Sequence, residues 1–116
     1  MTTPLDLLVE ARALIAERKN WISGAYAQNE HGREVNPRSE QACKFCSLGA
    51  IQRAYANRNI VDPSVGLFVD YEARHALEKV VGSIALFNDK HGHPQVLAAW
   101  DKAIESLRLE QNANDS

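Results

Sequence analysis

The residues best suited to chemistry in this chain are two cysteines, Cys43 and Cys46, and two histidines, His91 and His93. Two thiolates and two imidazoles can fill a tetrahedral zinc shell. The spacing argues against that use. Cys43-x-x-Cys46 falls in a stretch patterned as helix, whereas zinc knuckles hold such a pair in a turn, and its separation from the histidines fits no finger template. The bland alternative is two small cysteines packed as hydrophobes and two loop histidines facing solvent. We therefore expect no metal and no cofactor, and keep a zinc-stabilised module on Cys43, Cys46, His91 and His93 as an alternative.

Cys46 taken alone is a candidate nucleophile. Near the start of a helix, the dipole and free N–H groups would lower its pKa. His91, or else His75 or His93, would serve as base, with Asp89 or Asn88 orienting the imidazole. Against this, Phe45 and Leu48 flank the thiol, and apolar burial raises a thiol pKa. The catalytic set on this reading is Cys46, His91 and Asp89.

Binding chemistry has two further candidates. Asn88-Asp89 suits a capped corner between helices, and could equally form the polar rim of a pocket. Trp21, Tyr26 and Arg33 have the composition of an interface hot spot, although Trp21 would also suit the core. The candidate ligand- or partner-binding residues are thus Trp21, Tyr26, Arg33, Asn88 and Asp89.

These side chains need a scaffold, and the apolar periodicity supplies one. Thr3-Pro4 pairs a hydroxyl N-cap with a first-turn proline, and Leu7, Leu8, Ala11, Leu14 and Ile15 extend a helix over 4–18. Aromatic and β-branched residues on either side of Asn29-Glu30-His31-Gly32 predict a small hairpin whose edge could pair with a second copy. A helix over 40–56 carries Cys43, Cys46, Ala50 and Ala54 as a stripe of small side chains, and is apolar enough on its other faces to be central and buried. A third helix is expected over 67–86, weakened near Gly82. The last opens at Pro94, with Val96, Leu97, Trp100, Ala103, Ile104 and Leu107 as its apolar stripe. The expectation is a mainly α (α+β) fold: about four helices around a buried central helix, with one small β-hairpin. It forms a single domain over 1–109, followed by a polar, frayed tail over 110–116.

Composition narrows the function classes. With 116 residues there is material for one modest core, and a net charge of −2 offers no basic excess for nucleic acid. No run approaches the length of a membrane span, and the N-terminus lacks the pattern of a signal peptide. We expect a cytoplasmic protein with reduced thiols, no membrane partner and no nucleic-acid partner.

Phe45-Cys46-Ser47-Leu48-Gly49-Ala50 and Phe87-Asn88-Asp89 resemble the motifs of an uncharacterised bacterial and bacteriophage family. That family has an aromatic-Cys-Ala-Leu-Gly-Ala-like motif, then aromatic-Asn-Asp, then a final helix ending in Asp-x-Ala-Ile, here Asp101-Lys102-Ala103-Ile104. Trp21 and Gly32 match its early tryptophan and turn glycine, and the resemblance spans residues 5 to 107. The chain departs from it at Ser47, usually alanine, and at Phe87, commonly tryptophan. The resemblance implies a phage- or mobile-element-related setting and directs attention to Cys46 and Asn88-Asp89, but implies no activity.

The expectation is a small non-enzymatic protein that binds an unidentified protein or small molecule and could form a homodimer. A Cys46-dependent enzyme and the zinc-stabilised module are the alternatives.

Overall fold

A computed structural model of the chain describes residues 2–115. The described residues form five α-helices and a two-stranded antiparallel sheet. The fold is mainly helical, as the periodicity predicts, but several element boundaries differ and the described residues form five helices, not four.

Helix α1 spans Pro4–Leu14, and Thr3 closes a capping box at its start: the Thr3 hydroxyl accepts from Asp6 N and the Asp6 carboxylate accepts from Thr3 N. It stops short of the expected residue 18, and a short 3-10 turn, Arg18–Asn20, follows. Near its end the carbonyl of Ile15 receives a hydrogen bond from a distant side chain, His93, at 2.7 Å.

The strands are β1, Ala27–Gln28, and β2, Lys44–Phe45, with Ala27 opposite Phe45. The expected turn exists: Asn29 Oδ1 accepts from His31 N and Arg33 N, and Gly32 takes φ +78°. Yet its second arm makes only one bridge, Gln28 to Glu34, and the ladder proper forms with a segment farther along the chain. Phe45 explains the choice, because it brings a buried ring to the sheet whereas Arg33 and Glu34 are exposed. Phe45 also bridges to Trp21 on its other side.

Helix α2, Ser47–Arg58, therefore begins seven residues later than its apolar pattern suggests, with Cys46 as N-cap. Residues 40–46 are turn and strand, and Cys43 lies outside the helix and exposed. Gly49 permits β1 to lie across the first turn of α2, since a β-carbon there would collide with the Tyr26 carbonyl.

Helix α3, Pro63–Val81, starts from Asp62, whose carboxylate accepts from both Ser64 N and Ser64 Oγ. These bonds hold the Asp62 carboxyl below its ordinary pKa. The expected helix over 67–86 is in fact two. Gly82 ends α3 at φ +77°, and Ser83 caps α4, Ile84–Lys90, through Leu86 N. Helix α5, His93–Asp115, continues past Leu109 into the polar tail.

Helix α1 packs on α2, α3 and α5, and α3 packs along α5. Fully buried Leu7, Leu8, Ala11, Ala50, Ala54 and Ala73 belong to the one core, together with Trp21, Phe45, Ile51, Leu77 and Trp100. Among the described residues no helix is long and apolar enough to cross a membrane.

Candidate functional site

Two sites emerge where motif residues meet: a sealed polar network, and beside it a surface pocket holding the buried thiol. The network centres on Asn88, which is 1% exposed. Helix α4 projects its side chain toward the start of α2, and its Oδ1 accepts three hydrogen bonds: from Trp21 Nε1 at 2.8 Å, Ser47 N at 3.0 Å and Ser47 Oγ at 2.8 Å. Its Nδ2 donates to the Ile22 carbonyl at 3.0 Å and to Asp89 Oδ1 at 3.3 Å. Ser47 Oγ in turn accepts from Trp100 Nε1 at 3.0 Å. Trp100, Ser47, Asn88 and Trp21 thus form a continuous chain of buried donors and acceptors, each satisfied. Arg18 lies over the Trp21 ring at 5.1 Å, and the His93 ring approaches the same indole at 5.6 Å.

The pocket has a volume of about 300 Å³ and is lined by Gly24, Ala25, Tyr26, Glu34, Cys46, Ala85 and Asp89. Asp89 Oδ1 accepts from Gly24 N at 3.0 Å, which ties the loop after Trp21 to α4. The Cys46 sulfur accepts from Gly49 N at 3.4 Å, a thiol in the place usually taken by a serine or aspartate N-cap. Burial pushes the Cys46 thiol above its ordinary pKa; the Gly49 and Leu48 N–H groups oppose this, and the Asp89 charge adds to it.

The predicted residues therefore divide. Cys46 and Asp89 come together in one pocket, and Tyr26 joins them at its exposed rim. Trp21 and Asn88 come together too, but inside the protein. Arg33 lies elsewhere, with Glu30, His31, Glu40 and Cys43 around a separate surface hollow. His91 stacks on Phe87 at 4.0 Å and donates through Nδ1 to the Phe87 carbonyl, and it does not line the thiol pocket. His93 is buried against Ile15 and Trp21, not solvent-facing. His75 stacks on Tyr71 on the outer side of α3. No group of three or more His, Cys, Asp or Glu side chains is placed to hold a metal ion among the described residues.

Sequence reasoning missed Ser47 and Trp100 as members of the network. Ser47 had a signal, because it replaces the small apolar residue expected in its motif. Trp100 had none, since it fits the apolar stripe of its helix. Also missed were Leu67, Phe68 and Tyr71, which the structure leaves 70%, 58% and 56% exposed. Their signal was a second apolar arc on the same helix as Val69, Ala73 and Ala76.

The architecture defines a small, mainly helical protein with a two-stranded sheet pinned by a buried tryptophan–serine–asparagine network. The chain belongs to DUF6197, a family of unknown function, whose model matches residues 1–106. No curated protein and no solved structure matches the chain.

Proposed function

We propose that the protein is a non-enzymatic interaction module that self-associates through the outer face of α3. One observation carries this reading: Leu67, Phe68 and Tyr71 expose more than half of each side chain on a single helix face. Tyr71 is held flat against His75, at 5.5 Å and 11° between the ring planes, so the face is an ordered ridge. The sheet is poorly placed for pairing with a copy, because Trp21 bridges to Phe45 at one edge and Glu34 bridges to Gln28 at the other. Charge favours self-pairing of α3. Its Asp70–Arg74 ion pair, at 3.2 Å, would meet itself reversed in an antiparallel two-fold arrangement, bringing each carboxylate to a guanidinium of the second copy.

Sedimentation velocity over a concentration series tests the reading. A reversible dimer is expected in the wild type and should be lost in Phe68→Ser/Tyr71→Ser. Thermal stability should stay close to wild type, because both side chains are exposed in the monomer. A monomer at every concentration would remove this reading.

A second reading, with Cys46 as nucleophile, is supported by the pocket that Cys46 shares with Asp89 and Tyr26. It must contend with a thiol kept protonated by burial and by the Asp89 carboxylate. Alkylation by iodoacetamide at neutral pH, followed by mass spectrometry, separates the two. Modification of Cys46 ahead of the exposed Cys43 would favour the enzyme, and modification of Cys46 only on unfolding would sink it.

A further inference from the structure

We propose that the cleft between α2 and α3 binds a small organic anion with a planar apolar body. The cleft encloses about 520 Å³, within the range of small-molecule sites, and has Leu48, Ile51 and Tyr55 of α2 on one wall and Leu67 of α3 on the other. Two guanidiniums, Arg38 and Arg74, line it against one carboxylate, Asp70. Arg74 gives its Nε to Asp70 and keeps its terminal nitrogens available.

Arg38 is the more telling of the two. Its backbone is fixed on both sides: Arg53 Nη1 donates to the carbonyl of Ser39 at 2.6 Å and to that of Pro37 at 3.3 Å. Asn36 Oδ1 accepts from Arg38 N at 2.8 Å, and Ser39 N donates to the Asn36 carbonyl at 2.9 Å. A partly buried arginine is thus spent on holding a three-residue loop whose middle side chain forms no ion pair or hydrogen bond with any described residue. A preorganised loop presenting a free guanidinium over an apolar floor matches a phosphate or carboxylate attached to a ring. The anion would sit between Arg38 and Arg74, with its ring on Leu48, Ile51 and Tyr55 and the Gln52 amide within the same cleft.

The proposal does not rest on self-association, although the two surfaces share Leu67, Asp70 and Arg74. They are tested on residues they do not share, Arg38 for the anion and Phe68 for the helix face. The experiment is an amide NMR titration of the full chain with phenyl phosphate, benzoate, inorganic phosphate and benzyl alcohol. Saturable shifts confined to residues 36–39, 48–55 and 67–74 are expected with phenyl phosphate or benzoate, and whichever binds more tightly names the acid. Arg38→Ala should weaken that binding by about tenfold or more, with partial recovery in Arg38→Lys and no change in Phe68→Ser. Three results would each overturn the proposal: no saturable shift with either aromatic acid, equal binding of benzyl alcohol, or unchanged affinity in Arg38→Ala.

Discussion

The Trp21 indole donates to the Asn88 side-chain carbonyl at 2.8 Å, a buried bond between residues 67 positions apart. It joins the segment after α1 to the fourth helix, and Ser47 draws the start of α2 to the same oxygen. Three separate parts of the chain therefore converge on one amide, and its loss should be felt throughout.

Asn88→Ala is expected to destabilise the fold by about 3 kcal/mol, because the Trp21 indole N–H, the Ser47 N–H and the Ile22 carbonyl all lose their partner in the interior. Asn88→Asp keeps the acceptor but places a carboxylate against the Ile22 carbonyl and Asp89. Its folded-state pKa would be raised, so the native state favours the protonated form. Stability is then present below the unfolded pKa and lost as pH rises through the folded one. The Tm deficit of Asn88→Asp should shrink as pH falls from about 7 to about 5, while that of Asn88→Ala should stay constant. Parallel deficits at both pH values would argue against a buried site.

Gly49→Ala and Gly66→Ala look alike in sequence and should behave differently. A β-carbon at 49 collides with the backbone carbonyl of Tyr26, so β1 must shift. At 66 its close contacts are with the hydroxyl end of the Tyr55 ring, which can swing aside, and it reaches Ile60 only at ordinary contact distance. Urea denaturation should show a loss of about 3 kcal/mol for the first and a clearly smaller one for the second. Equal losses would mean that the α2–β1 approach is not rigid.

The Cys46 thiol predicts a specific alkaline weakness. Burial, aided by Asp89, raises its folded pKa above the ordinary 9.0, so the native state prefers the neutral thiol. That preference is fully present below the unfolded pKa and is lost as pH rises through the folded value. Thermal melts from about pH 8 to about pH 10.5 should fall more steeply for wild type than for Cys46→Ala. Identical slopes would show that the thiol does not titrate with unfolding.

His93 closes the far end of α1. Its Nε2 must carry the proton, because the partner is the Ile15 carbonyl at 2.7 Å. His93→Ala should cost about 2 kcal/mol through the orphaned carbonyl and the space left beside Trp21, and His93→Gln should recover part of it. The check is equilibrium unfolding of both variants. No difference between them would leave the hydrogen bond without a role.

The helical class, the Thr3 cap of α1, the stripe of α5 and the turn at Asn29–Gly32 were all legible along the chain. Each depends on contacts within a few residues, where spacing and propensity act directly. Cys46 and Asn88-Asp89 stood out as motif residues, but Asn88, expected in a corner or a pocket rim, lies buried within α4. Its role as triple acceptor was not legible, because Trp21 and Ser47 lie 67 and 41 positions away.

Tertiary structure decided the rest. Residues 40–46 carry a helical pattern, yet Lys44 and Phe45 pair with β1, since a ladder that buries Phe45 outweighs local preference. Gly82 at positive φ turns one expected helix into two and thereby aims Asn88 at α2. His91 and His93, neighbours in sequence, end on opposite terms: one stacked on Phe87 at the surface, the other buried beside Trp21. Local chemistry determined which residues could matter. Long-range packing decided which of them meet, because the free energy of burying an indole or an amide depends on partners that no short stretch of sequence contains.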